Sequence, residues 1–283
     1  MREIRQLSNS ALDRFSQCPR SYYFQYLDPA RPKQVGTETF YADFGLLMHF
    51  LVEFYPRMLK GNDFPFTPAK DPKPHDMQGL LNCYGNQLME KREELDVEKM
   101  LMLYDSAFPL IPFPSIEKRD EYYAQGKTYI ENIPNMDWSK LVGLEVEFKI
   151  DIQNQTRPIK GFIDKLERDD KGLVVTDYKT SKPYSPAATM RKDQLPIYGM
   201  ACFLLYGELP YKYRYDFVRF GKVVEVEIPI ERLTTVSNNI KFKYIQMSTY
   251  RITNKFPAIY QDFYCKNFCG FTHLCSKFQE YND

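Results

Sequence analysis

The amino-acid sequence predicts an α/β fold: a central mixed β-sheet flanked by helices. Three observations lead there. Apolar residues recur at helical spacing through much of the first 135 residues. From Leu141 the pattern changes to the alternation of strands, and the strand segments are then divided by further helical runs. A chain of 283 residues, 43% hydrophobic, has enough apolar surface for one sizeable core with an insertion attached. The expected organisation is one domain over 1–283, with a helical insertion or lobe over 60–135 and a sheet core over 141–228.

The segment LSNSALDRFSQCPRSYYFQYL offers Ser8 or Asn9 as a helix N-cap, and Pro19 breaks or restarts the helix that follows. After a proline-rich tract, ETFYADFGLLMHFLVEFYPRML reads as a long, mostly buried helix that sets Gly45, His49 and Glu53 on one face. KGNDFPFTPAKDPKPHD reads as a loop, MQGLLNCYGNQLMEKREELDVEKMLMLYDSAF as helical, and PLIPFPS as the close of the lobe. IEKRDEYYAQGKTYIENI is another amphipathic helix. LVGLEVEFKIDI, RPIKGFIDKLER and GLVVTDYKTS are three successive strands, the last two joined by the turn DDKG. PAATMRKDQLPIYGMACFLLYG returns to helix in spite of Pro196. YKYRYDFVRF and VVEVEIPI form a hairpin about Gly221-Lys222, and ERLTTVSNNIKFKYIQMSTYRI is a last amphipathic helix before an irregular cysteine-rich tail, DFYCKNFCGFTHLCSKF.

Thirty-eight basic residues against 37 acidic ones leave a formal charge of +1, so any phosphate-binding surface has to be local. Residues 1–33 are one such place, with Arg2, Arg5, Arg14, Arg20, Arg31 and Lys33 against Glu3, Asp13 and Asp28; a solvated basic face accounts for them equally well. No apolar run reaches the roughly 18 residues of a membrane span, and MREIRQLSNS lacks the apolar core of a signal peptide. The expectation is a soluble cytoplasmic protein, in the host-cell cytoplasm if phage-encoded, with no membrane partner. In that reducing setting, clustered cysteines suggest metal or redox chemistry rather than disulfides.

The stretch KGFIDKLERDDKGLVVTDYKTSK places charge where a sheet is greasiest. Asp177 and Lys179 share a face of one strand, and Asp164 lies on the neighbouring strand within a register step of Asp177. If opposed, the two carboxylates have Cβ atoms about 5 Å apart. They repel, and one is protonated unless a cation sits between them. Carboxylate oxygens suit Mg²⁺ or Mn²⁺, and an adjacent lysine can offset charge building on a phosphoryl oxygen. A cross-strand Asp/Lys salt bridge on an exposed face explains the same residues, although the apolar LVV running into Asp177 argues against exposure.

GFIDKLERDDKGLVVTDYKTSK resembles the core of the PD-(D/E)XK nuclease superfamily in its RecB-like branch: glycine, two hydrophobic residues and Asp, a hairpin, then acid, hydrophobic residue and Lys. GLLMHFLVE resembles the G-x-x-x-H-x-x-x-E of that branch, and QLPIY its Q-x-x-x-Y. The resemblance implies a restriction-endonuclease-like core with Asp164 and Asp177 as ligands of Mg²⁺ or Mn²⁺ and the Tyr178 main-chain carbonyl as a further ligand. It implies Lys179 as the group that helps the attacking water, His49 as a metal ligand, and Glu53 as a partner of the metal or its water. Gln194 and Tyr198 are then placed to touch the substrate or to brace Lys179. Without the resemblance, a histidine in an apolar helix is more often a core residue than a ligand. Glu145 and Glu147, on the strand before Asp164, are further acidic candidates; solvated strand charges explain them as well.

Cys265, Cys269 and Cys275 fall in one short segment, and Cys18 lies at the other end in FSQCPRSYYF. One plus three resembles the iron–sulfur branch of these nucleases, to which CRISPR-adaptation nucleases belong. The resemblance implies a [4Fe–4S] cluster on these four thiolates, stapling residues 1–27 to 260–278. The three residues between Cys265 and Cys269 depart from the usual C-x-x-C spacing of that tail, and four thiolates also suit Zn²⁺. His273 is an alternative ligand, though an exposed or core histidine explains it more readily. Cys83 and Cys202 have no partner in sequence, and Cys202 reads as core.

The expected activity is metal-dependent DNA hydrolysis, with exonuclease action on single-stranded DNA or duplex ends, in repair, recombination, phage replication or CRISPR adaptation. GxxxxGK[ST] is absent, so a helicase or recombination partner has to be a separate chain. Two other readings stay open: an iron–sulfur DNA-binding or assembly subunit with little hydrolysis, and a zinc-stapled RNA-processing protein.

Overall fold

The computed structural model describes residues 1–36, 40–60, 77–91, 96–152 and 156–282. Its centre is a five-stranded mixed sheet in the order β1-β2-β3-β4-β5, formed by β1 (Leu141–Ile150), β2 (Ile159–Asp169), β3 (Gly172–Lys179), β4 (Lys212–Phe217) and β5 (Lys222–Val226). The first three strands form an antiparallel meander, and β4 returns parallel to β3 before pairing antiparallel with β5. The parallel step needs a crossover, supplied by α7 (Pro186–Arg191) and α8 (Gln194–Tyr206).

Two apolar cores lie against this sheet. One packs α1 (Asn9–Gln17), α8 and α9 (Ile230–Thr253) on residues such as Ile163, Val175 and Tyr215. The other joins α3 (Phe40–Lys60), α4 (Met77–Lys91), α5 (Val97–Ala107) and α6 (Ile116–Asn132) to Tyr178 and Val218. The alternation of β3 explains the division. Leu173 and Val175 belong to the first core and Tyr178 to the second, as residues of opposite parity should. No described helix is long and apolar enough to cross a membrane.

Local chemistry sets the element ends. Ser8 caps α1 by accepting from the Ala11 N–H at 3.2 Å. Cys18 interrupts the helix in an extended conformation, and α2 (Pro19–Tyr22) restarts on Pro19 and runs into a π-helical turn over Tyr23–Leu27. The run expected as one helix over the crossover is two, divided at Lys192-Asp193. Pro196 falls in the first turn of α8, where no main-chain donor is needed, so it disrupts nothing. Gly207 ends that helix in the left-handed conformation. The tail holds two short helices, α10 (Asp262–Asn267) and α11 (Ser276–Asn282), where irregular chain was expected. The loop expected at KGNDFPFTPAKDPKPHD lies, after Lys60, outside the described residues.

Candidate metal centre and active site

The site forms where α3 meets β1, β2 and the end of β3. Leu173–Tyr178 is buried throughout, and the strand pair carries Asp177 (1% exposed) and Asp164 (8%) inside. The β2–β3 ladder stops at the Lys165–Thr176 pair. One step beyond, Asp164 Oδ2 accepts from the Tyr178 main-chain N–H at 2.8 Å. Gly161 earlier on β2 is needed for packing: a Cβ there would stand 2.5 Å from the Phe148 ring.

Glu145 joins this pair from β1. Leu144 pairs with Lys165 and Val146 with Ile163, which sets Glu145 opposite Asp164. Its φ is +46°, a left-handed conformation that costs a non-glycine residue about 1–3 kcal/mol. Arg57 of α3 borders the strained residue. It donates to the Leu144 carbonyl at 3.3 Å and to Glu53 Oε1 at 2.6 Å. Glu53 is thus engaged by Arg57. Glu147, two residues along β1, is exposed and pairs with Lys160 at 2.5 Å.

His49 completes the group from α3. Its Nε2 lies 3.0 Å from the Tyr178 carbonyl and its Nδ1 3.6 Å from Asp164 Oδ2. Burial lowers its pKa against the opposing pull of Asp177, which favours the neutral ring. With Nε2 donating to the carbonyl, Nδ1 presents a lone pair to a carboxylate oxygen. Among the described residues, His49, Glu145 and Asp164 are the group whose ligand atoms all fall within 4.8 Å of one another. Facing acceptors of this kind fit a divalent cation of the Mg²⁺ or Mn²⁺ type.

The carboxylates register the same crowding. Asp164 is raised well above the usual range by burial and by the charges of Asp177 and Glu145. Glu145 is pushed up to about 7 by burial and by Glu53, with Arg57 opposing.

Beside this group, four residues close a ring. Lys179 Nζ lies 2.5 Å from Asp177 Oδ2 and donates to Gln194 Oε1 at 2.7 Å. Gln194 Nε2 donates to the Tyr198 hydroxyl at 3.0 Å, and that hydroxyl donates to Asp177 Oδ1 at 3.0 Å. Lys179 Nζ also sits 5.1 Å from the Tyr215 ring centroid. Burial disfavours the lysine charge, but Asp177 and Asp164 outweigh it and its pKa is raised. Asp177 therefore faces Lys179 and Tyr198, and the ligand atoms within 4.8 Å of one another come from His49, Glu145 and Asp164.

The other cysteine chemistry lies apart from this site. Cys18, Cys265, Cys269 and Cys275 line one small, nearly filled pocket. The Ile259 N–H points at Cys18 Sγ at 3.4 Å. Arg20 donates to the Phe256 carbonyl at 2.8 Å and Arg14 to the Cys269 carbonyl at 3.3 Å, stitching the N-terminal helices to the tail. Cys202 is buried in the first core. Cys83 lies on α4, and neither it nor the exposed His273 lines the pocket.

A mixed sheet here gathers carboxylates, a histidine and an ammonium group at one point, an arrangement suited to metal-dependent hydrolysis. The PD-(D/E)XK nuclease superfamily matches residues 6–276, nearly the whole chain, and the protein belongs to that superfamily. Its members are in general nucleases that use divalent metals and act on nucleic acid. No curated protein matches the chain. The expectation of a PD-(D/E)XK fold read from the sequence is met at the level of superfamily and architecture.

Proposed function

We propose that this protein is a divalent-metal-dependent deoxyribonuclease of the RecB-like iron–sulfur type, acting as an exonuclease on single-stranded DNA or duplex ends. The observation that carries the reading is the convergence of His49, Glu145 and Asp164 within 4.8 Å, beside a lysine fixed by Asp177 and Gln194. These three residues would hold Mg²⁺ or Mn²⁺, with Asp177, the Tyr178 carbonyl and Glu53 near enough in the fold to complete its surroundings. When bound, the ion supplies positive charge at the phosphoryl oxygen and makes water a stronger nucleophile.

The chain's own groups do the rest. Lys179, held as an ammonium, donates towards the attacking water and offsets charge on the phosphoryl oxygens. Asp177 and Gln194 fix where that ammonium points, and Tyr198 fixes Asp177. The burial of Asp177 and Tyr198 reduces screening on one side of the ammonium group.

Cys18, Cys265, Cys269 and Cys275 would hold a [4Fe–4S] cluster as a structural staple. Their shared pocket and the N–H directed at Cys18 Sγ support this. Repair, recombination, phage replication and CRISPR adaptation are pathways such an enzyme would serve.

Labelled single-stranded DNA incubated with Mn²⁺, with EDTA and Asp177→Ala as controls, tests the activity. Cleavage by wild type alone is expected. No cleavage of single-stranded, duplex or tailed DNA would overturn it in favour of a binding or assembly subunit.

A further inference from the structure

A polar groove opens beside Lys179 and Gln194. Its volume is about 560 Å³, within the range of built binding sites. Asn9 and Gln17, at the two ends of α1, line it together with Arg191 and Lys192, at the end of α7, and Lys243 of α9. We propose that this groove holds the phosphodiester backbone of a single nucleic-acid strand next to the bond being cut. The proposal rests on the nuclease reading and names the substrate form and its path.

The charges in the groove are the first argument. Asp13 and Asp193 also face it. Asp193 is engaged by Arg232 at 2.8 Å and Lys243 at 3.4 Å. Asp13 accepts from Asn9 Nδ2 at 3.2 Å, and burial raises its pKa. Arg191 and Lys192 are exposed, and neither makes a direct ion pair among the described residues, although the Lys192 charge reaches Asp13. The groove therefore offers two exposed cations to a phosphate.

An aromatic ring is the second argument. Lys192 Nζ lies 4.9 Å from the Tyr184 ring centroid. Tyr184 is itself held edge-on by Tyr215 at 5.8 Å and Phe217 at 5.2 Å. Cations tracking a backbone beside a fixed ring are the parts that single-strand sites combine.

Anisotropy of fluorescein-labelled dT12 in EDTA reads this binding without cleavage. Arg191→Ala/Lys192→Ala should weaken it about tenfold near 100 mM salt. The slope of log K against log salt should become shallower by about 1.4, or about 0.7 for each phosphate no longer neutralised. Lys171→Ala/Lys222→Ala, which removes the same charge from exposed sites elsewhere, should change neither. Wild-type affinity and slope in the groove variant would overturn the proposal. So would an equal loss of affinity for a blunt hairpin duplex. Mn²⁺-dependent hydrolysis of bis(p-nitrophenyl) phosphate by the wild-type protein tests the nuclease reading separately. If the wild type is inert there, the nuclease reading falls, and the anisotropy still decides the groove.

Discussion

The Tyr198 hydroxyl donates to Asp177 Oδ1 at 3.0 Å, and this one contact closes the ring that aims Lys179. A hydrogen bond to a charged group contributes about 1.5–3 kcal/mol. Tyr198→Phe should therefore lower the cleavage rate roughly 10- to 100-fold while leaving the far-ultraviolet circular dichroism unchanged. Lys179→Ala removes the ammonium itself and should cost at least as much. Single-turnover cleavage assays check both, and a Lys179→Ala enzyme with wild-type turnover would remove the lysine from the mechanism.

Glu145 and Glu147 should behave differently. Glu145→Gln removes a ligand facing His49 and Asp164 and should weaken Mn²⁺ binding tenfold or more by titration calorimetry. Glu147→Gln removes a surface pair with Lys160, and should leave binding as it is. His49→Ala should follow Glu145→Gln.

Much of this site was legible in the sequence, for identifiable reasons. The period of two placed Asp177 and Lys179 on one face, and a short turn brought Asp164 alongside. The choice between the two glutamates was not legible. On a regular strand Glu145 and Glu147 share a face, and only the left-handed φ of Glu145 sets them apart. Glutamate has no preference for that conformation, so no residue type announces it. Arg57 was missed for a similar reason, because its partners are a main-chain carbonyl on β1 and a glutamate that the motif already claimed. Pro196 looked unusual because the start of α8 at Gln194 could not be fixed from the pattern.

Protons and metal should compete at the centre. Glu145 is raised from 4.5 to about 7 and Asp164 is also raised. A carboxyl whose folded pKa is raised stabilises the fold below its unfolded pKa, and that contribution is lost as pH rises through the folded value. The metal-free protein should therefore melt at a lower temperature at pH 8 than at pH 5. Mn²⁺ should restore stability most strongly at pH 8. Apparent Mn²⁺ affinity should rise about tenfold per pH unit below 7 for each proton displaced. Calorimetry across pH 5–8 checks both signs.

Cys18→Ser should lose iron and lower the melting temperature, because the pocket joins the two ends of the chain. Cys83→Ser, outside that pocket, should retain full iron content. Iron analysis of anaerobically purified protein, with absorbance near 400 nm, is the measurement; unchanged iron in Cys18→Ser would remove it from the ligand set.

The central claim is that one cation is gripped between α3 and the sheet. Anomalous diffraction from a crystal soaked in Mn²⁺ measures it directly. The account predicts a peak bounded by His49, Glu145 and Asp164, within reach of Lys179. A soaked crystal with no peak there, or with those three side chains turned apart, would contradict it.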